Sequence, residues 1–188
     1  MPAIFLDRDG TIIREVGYLS RLADLEVLPG VARALRRLGE AGFVRVVVTN
    51  QSGVARGLFE RSFVEETHAE LRRRLDEAGA DIDAFYVCPH HPEFDGPCEC
   101  RKPVPGLVRL AARDLGLDVS ASWVIGDKVA DVELGRRAGC RTCLVRTGYG
   151  RKSEAALTGS GLAPDLVADD LEVGADEILR RTSTGGLT

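Results

Sequence analysis

The chain has 188 residues, 44% of them hydrophobic and 29% charged, with a formal net charge of −4. That length suits one domain with a buried core, and the lack of a basic excess argues against a general nucleic-acid surface. No apolar run approaches the roughly 20 residues that span a bilayer, and the amino terminus lacks the charged and then apolar regions of a signal peptide, so the expectation is a cytoplasmic protein.

The run Ile4-Phe5-Leu6 reads as a strand and ends in Asp7-Arg8-Asp9-Gly10-Thr11. Residues i and i+2 on a strand face the same way, so Asp7 and Asp9 are expected to emerge together where it stops. Two adjacent acids repel unless a cation or a shared proton intervenes; Mg²⁺ relieves that repulsion, and a phosphorylated substrate gives the ion a task. Taken alone, the stretch also fits an acidic turn after an edge strand. Residues 12–28 lack periodicity and read as a loop over the strand end. Leu28-Pro29-Gly30 starts a helix, because proline is tolerated in a first turn, and Val31, Ala34, Leu35 and Leu38 form its apolar face. Gly42 closes it.

Val44 to Val48 reads as a buried parallel strand, followed by Thr49-Asn50 and the polar loop Gln51 to Gly57. Ser62-Phe63-Val64-Glu65 has the form of a capping box and opens a helix with Phe63, Thr67, Leu71 and Leu75 inward. His68 on that helix reads as a surface or helix-face residue. Ala84 to Val87 is a third strand, and Cys88 to Cys100 a loop that runs into Arg101-Lys102-Pro103. A helix from Pro105 to Leu115, with Leu107, Leu110, Ala111 and Leu115 inward, precedes the strand Trp123-Val124-Ile125 and then Gly126-Asp127-Lys128. A helix from about Ala130 to Ala138, a strand from Thr142 to Val145, a weak strand at 166–168 and a short helix at 175–180 complete the pattern. The expected organisation is a single domain over 1–181 and a disordered tail over 182–188.

Strands alternating with helices imply an α/β, Rossmann-like three-layer sandwich with a mainly parallel sheet, and ligands bind such sheets at the carboxyl ends of the strands. The polar clusters Asp7/Asp9, Thr49/Asn50, Arg101/Lys102 and Asp127/Lys128/Asp131 all fall at that edge. Asp7 is the candidate nucleophile, since a carboxylate attacks phosphorus once the phosphoryl charge is masked and the geometry is in line. Asp9 is the candidate general acid and base. Asp127 helps Asp7 and Asp9 to hold Mg²⁺, while Thr49 and Lys102 bind the non-bridging oxygens. Asp131 orients Lys102 or a metal-bound water. Singly, Thr49 reads as a strand end, Lys102 as a solvated charge, and Asp127 and Asp131 as residues favoured by a helix dipole.

Five cysteines in a chain without a secretory signal point to metal ligands or core thiols more than to disulfides. Cys88, His90, Cys98 and Cys100 offer three thiolates and an imidazole, a set that suits tetrahedral, structural Zn²⁺. His91 is the alternative to His90, and a disulfide or free thiols are the alternative to zinc. A metal would fix Arg101-Lys102 just beyond an otherwise coreless loop. Cys140, Cys143 and Trp123 read as core residues.

Asp7-Arg8-Asp9-Gly10-Thr11, Val48-Thr49-Asn50, Lys102 and Gly126-Asp127-x-x-x-Asp131 resemble the four motifs of the haloacid dehalogenase-like phosphatases. The Cys/His loop with Arg101-Lys102-Pro103 narrows the resemblance to the subfamily of D-glycero-D-manno-heptose-1,7-bisphosphate 7-phosphatases and histidinol-phosphate phosphatases. Thr49 to Gly57 and Cys88-Pro89-His90-His91 look most like the heptose enzymes, although the loop between the ligand pairs is shorter than in some of them. The resemblance implies a Mg²⁺-dependent phosphoric monoester hydrolase that forms an aspartyl-phosphate and yields heptose 1-phosphate in nucleotide-activated heptose biosynthesis. It also implies substrate contacts from Glu15, Val16, Gly17, Tyr18, Thr49, Asn50, Gln51, Ser52, Arg101, Lys102 and Lys128. Arg56 is a further candidate from its place in the loop. No segment is long enough for a large cap domain, and no interface stripe is evident, which favours a monomer. A histidinol-phosphate phosphatase and a catalytically inactive zinc-stabilised binding module are the competing readings.

Overall fold

The apolar runs become strands, and each pairs in parallel with its neighbour. In the computed structural model, which describes residues 1–184, the strands are β1 (Ala3–Leu6), β2 (Val44–Asn50), β3 (Ala84–Cys88), β4 (Trp123–Gly126), β5 (Arg141–Val145) and β6 (Leu166–Ala168). Their order in the sheet is β3-β2-β1-β4-β5-β6, and all five pairings are parallel. The chain winds outward from β1 in both directions, so the crevice where the order reverses lies at the carboxyl ends of β1, β2 and β4. Leu6 pairs with Val47 on one side and Ile125 on the other, which sets Asp7, Thr49 and Asp127 along one edge.

β1 is apolar throughout because both sheet faces are covered. Ile4 and Leu6 pack on one side with residues of α1 (Val31–Glu40), α2 (Arg61–Glu77) and α7 (Leu171–Thr184). Ala3 and Phe5 pack on the other with α4 (Gly106–Leu115) and α5 (Val129–Ala138). The two-residue alternation of a strand thus divides one short segment between two cores. Trp123, Cys140 and Cys143 are buried, as expected.

The departures from expectation have local causes. Helix α1 starts at Val31, so Pro29 stands before it rather than in its first turn. In α2 the N-cap position falls on Glu60, which leaves Ser62 inside the first turn and makes no side-chain cap. Its buried face is Val64, Thr67, His68, Leu71 and Leu75; Phe63 packs on Phe59 instead. His68 is therefore a core residue, not a surface one. In α4, Val108 turns inward with Leu107 and Ala111, while Leu110 is exposed. Within the Cys88 to Cys100 loop lies a single turn, α3 (Pro92–Asp95).

Helix α6 (Gly150–Leu157) was hidden because its buried positions are Gly150, Ser153 and Leu157, helically spaced but mostly not apolar. Helix α7 reaches Thr184, into the stretch expected as a tail; the remaining tail residues, 185–188, lie outside the described residues. Among the described residues no segment forms a separate cap, and no helix is long and apolar enough to cross a membrane.

Candidate active site

Asp7 is the first residue past β1, and its amide donates to Ile125 O at 2.9 Å. Its Oδ1 accepts from the Arg8 amide at 2.8 Å and lies 2.8 Å from Lys102 Nζ. Lys102 Nζ is also 2.7 Å from Asp131 Oδ1, so one buried ammonium bridges two carboxylates. Asn50, at the end of β2, clamps the Lys102 backbone from both sides: its Oδ1 accepts from Lys102 N at 3.0 Å and its Nδ2 donates to Lys102 O at 3.2 Å. Lys128 Nζ lies 3.6 Å from Asp7 Oδ2 and 3.2 Å from Glu15 Oε2.

Asp127 is fully buried, and its Oδ2 accepts from the Tyr149 amide at 2.8 Å. The other oxygen, Oδ1, has no hydrogen-bond partner, and Lys128 Nζ is 3.8 Å away. The backbone is pressed against this carboxylate: a Cβ at Gly10 or Gly148 would sit 2.2 Å from Asp127 Oδ2. Oxygens of Asp7, Asp127 and Asp131 lie within 4.8 Å of one another. Burial pushes the Asp127 carboxyl up to about 7, with Asp7 and Asp131 adding to the effect and Lys128 opposing it. Burial acts on Asp7 in the same sense, but Lys102 and Lys128 outweigh it and hold that carboxyl below its ordinary value. Burial opposes charge on Lys102, yet Asp131 and Asp7 keep its pKa raised. Three buried acids with an unsatisfied oxygen fit a hard, oxygen-seeking divalent cation such as Mg²⁺.

Asp9 departs from expectation, because its carboxylate is not among these oxygens. β1 ends at Leu6, and Asp7-Arg8-Asp9 runs into a tight turn in which the Ile12 and Ile13 amides donate to Arg8 O at 2.9 and 3.0 Å. The strand rule that would place Asp9 beside Asp7 does not apply there. The Asp9 carboxylate instead accepts from Arg8 Nε and Nη2, both at 3.1 Å, and from Gln51 Nε2 at 2.8 Å.

A cleft of about 290 Å³ opens above the cluster, lined by Asp9, Glu15, Gly17, Tyr18, Leu19, Asn50, Gln51, Ser52, Gly53, Arg101, Lys128 and Tyr149. Of the expected substrate contacts, Val16 does not line it, and Thr49 and Lys102 are buried outside its lining. Thr49 Oγ1 accepts from Gln51 Nε2 at 2.8 Å, which makes it a support for the cleft wall. Tyr149 is a wall residue that sequence reasoning missed. It follows β5 at the same carboxyl edge as the other polar clusters, and that position was the available signal.

The second cluster joins Cys88, His90, Cys98 and Cys100. Sulfur–sulfur distances are 3.0, 3.6 and 3.7 Å, and His90 Nδ1 lies 3.3 Å from Cys100 Sγ and 4.0 Å from Cys88 Sγ. A tetrahedron with metal–sulfur bonds near 2.3 Å has edges of about 3.8 Å, so most of these separations suit Zn²⁺. His91 is excluded by its other tasks: Nδ1 caps α3 by accepting from Glu93 N, and Nε2 meets Arg56 at 2.9 Å. Arg56 is thereby drawn onto His91 and the Phe94 ring and does not line the cleft. Arg101 Nη1 donates to His90 O at 3.0 Å, tying the cluster to the cleft wall. None of the five cysteines is joined in a disulfide.

A HAD-hydrolase-like family model matches residues 99–173. The chain is 42% identical over 186 residues to the D-glycero-D-manno-heptose-1,7-bisphosphate 7-phosphatase of Thermosynechococcus vestitus, covering 94% of this chain and 95% of that protein. It is 46% identical over 155 residues to the D-glycero-beta-D-manno-heptose-1,7-bisphosphate 7-phosphatase of Escherichia coli K12, covering 79% and 81%. It is also similar in structure to the D,D-heptose 1,7-bisphosphate phosphatase from B. bronchiseptica, crystallised with magnesium and phosphate. The TM-score is 0.88 at 37% identity, over 96% of this chain and 99% of that one. Likeness at this level over nearly the whole length, on a fold with its acids gathered at the switch point of the sheet, has one consequence: the chain belongs to the D-glycero-D-manno-heptose-1,7-bisphosphate 7-phosphatase family of the HAD-like hydrolases.

Proposed function

We propose that the protein is a Mg²⁺-dependent phosphatase that removes the 7-phosphate of D-glycero-D-manno-heptose 1,7-bisphosphate and yields the 1-phosphate, in nucleotide-activated heptose biosynthesis. The observation that carries this reading is the unpartnered Asp127 Oδ1, buried beside Asp7 and Asp131, with Lys102 bridging two of the three acids.

Asp7 Oδ1 is engaged by Lys102 and the Arg8 amide, so Oδ2 is the freer oxygen and the one that attacks phosphorus. The phosphorus–oxygen bond to the sugar breaks, and the departing oxygen takes a proton from the Asp9 carboxyl. Asp9, now a carboxylate, accepts a proton from the water that attacks the aspartyl-phosphate, and phosphate leaves with Asp7 regenerated. Mg²⁺ held by Asp7 and Asp127 would mask the phosphoryl charge. Lys102 holds the nucleophile in place, while Lys128 and Arg101 offer cations to the substrate's phosphates. Cys88, His90, Cys98 and Cys100 would hold Zn²⁺ in a structural role, since four protein ligands would leave no open position.

We further propose a cytoplasmic, single-domain monomer. Its large exposed apolar side chains, among them Leu58, Phe94 and Val173, come from separate segments, and light scattering at assay concentration tests the state. The function is tested by kcat/KM on both heptose bisphosphate anomers beside histidinol phosphate. A preference of at least about 100-fold for a bisphosphate is expected, since a site built around two phosphates leaves charges unpaired with one. Faster turnover of histidinol phosphate would reverse the assignment, and no turnover of either would leave a zinc-stabilised binding module.

A further inference from the structure

Arg8 is an arginine only 2% exposed, lying inside the nucleophile turn. Its Nε and Nη2 donate to the two Asp9 oxygens, and Nη2 also donates to Gln51 Oε1 at 2.8 Å. The remaining nitrogen, Nη1, meets His68 Nε2 at 3.3 Å, from a helix 60 positions away in sequence. Arginine can only donate, so His68 Nε2 is the acceptor and the ring proton sits on Nδ1. Burial, with Arg8 and Arg72 nearby, pushes the imidazole down to about 3, so the ring is neutral and keeps that lone pair. The ring is stacked on Phe85 at 4.3 Å between centroids, with the planes 19° apart, which fixes the direction of Nε2.

We propose that His68 is a positioning residue for catalysis: it holds the Arg8 guanidinium, and through it aims the Asp9 carboxyl at the leaving oxygen. This rests on the reading of Asp9 as general acid and base. Behind His68 lies a groove of about 500 Å³ between α2 and the edge strand β3, walled by Val64, Arg72, Phe85 and Leu107 among others. Without the histidine, Nη1 is a buried donor with no acceptor, a state costly enough to turn the guanidinium toward that space. Asp9 bonds to Arg8 through both oxygens and follows it. Gln51, which touches Arg8, Asp9 and Thr49, is left with one fixed partner instead of three.

The test compares wild type, His68→Leu and His68→Gln, alone and with Asp9→Asn, on the heptose bisphosphate and on 4-nitrophenyl phosphate with Mg²⁺. A nitrophenolate leaves without a proton, so its first-turnover burst does not need Asp9 as an acid. A positioned acid or base contributes about 10²- to 10⁴-fold, and misplacing it forfeits part of that. His68→Leu is expected to lower kcat on the bisphosphate about 10- to 100-fold with KM within about threefold, and to keep the burst rate within about twofold. It is expected to change nothing further in the Asp9→Asn background. His68→Gln, whose side-chain oxygen can accept from Nη1, should recover most of the rate. An unchanged kcat, an equal loss in burst and bisphosphate turnover, or a full additional loss on top of Asp9→Asn would each overturn the proposal. Failure of the wild type to hydrolyse any phosphate monoester is the separate failure of the phosphatase reading, and it removes this proposal too.

Discussion

The two clusters of metal-ligating residue types are built in opposite ways. Asp7, Lys102, Asp127 and Asp131 come from distant parts of the chain and meet only because the sheet brings its carboxyl edge together. Cys88 ends β3, and His90, Cys98 and Cys100 follow in the loop that leaves it, so one short stretch of chain supplies all four. The acids carry their own counter-charges in Lys102 and Lys128, and still leave one oxygen unpartnered. The thiols have no such cations; burial raises the pKa of Cys88 and Cys100, whereas at Cys98 the Arg101 and Cys100 amides and the neighbouring thiols outweigh burial and bring it down to about 7. The difference teaches a division of labour: the fold makes the first cluster, whereas the second, with a metal bound, would make part of the fold. Loss of the acids' metal should therefore remove activity and spare the fold, and loss of the thiols' metal should cost both.

Asp7→Asn should show the largest effect, a fall in kcat of at least about 10³-fold, because the attacking group itself is lost. Zinc content by elemental analysis should stay near one equivalent per chain, which separates the clusters cleanly. Wild-type turnover by this variant would end the nucleophile assignment. Lys102→Met comes next and is the severest test of the contrast. Lys102 and its two partners are buried, so removing the ammonium leaves Asp7 and Asp131 uncompensated, at about 3–5 kcal/mol of stability. A kcat loss of about 10²- to 10³-fold should accompany it, with denaturant melts and steady-state rates as the two readouts. Zinc removal with a strong chelator ranks third. It should lower the melting temperature and reduce kcat about 10- to 100-fold through the Arg101–His90 link. Zn²⁺ should restore the rate and excess Mg²⁺ should not. A melting temperature indifferent to zinc would break the claim that the loop depends on it.

Much of this was legible in the sequence, for reasons that differ between residues. The strands were visible because a sheet covered on both faces needs continuous apolar runs, as in Ile4-Phe5-Leu6 and Val46-Val47-Val48. The candidate site followed from a topological rule, that ligands gather at strand carboxyl ends. What failed was side-chain direction beyond those ends. Asp9 was placed by strand geometry on a residue that lies in a turn, and only coordinates show it bonded to Arg8 and Gln51. Burial of His68 depends on a partner 60 positions away, a relation no local pattern encodes. Helix α6 was missed because Gly150 and Ser153 can face a core without being apolar.

The smallest expected effect concerns protons at the acid cluster. In the metal-free protein the Asp127 carboxyl is pushed up from 3.8 to about 7, chiefly by burial. Between those two values the folded chain holds a proton that the unfolded chain has lost. Stability from this group is thus complete below about pH 4 and declines as pH rises through 7, by at most about 1.4 kcal/mol per unit. Mg²⁺ must displace the same proton, so its apparent affinity should fall about tenfold per unit below pH 7 and level off above it. Isothermal titration with Mg²⁺ at pH 6 and pH 8 gives the affinity, and urea melts of the chelated protein at the same two values give the stability. Opposite trends in the two measurements are expected, weaker metal binding but greater metal-free stability at pH 6. Asp127→Asn should abolish both trends while leaving zinc content untouched. A Mg²⁺ affinity that does not change between pH 6 and 8 would mean that Asp127 is already ionised in the empty site, and that the acids do not depend on the ion as the thiols depend on theirs.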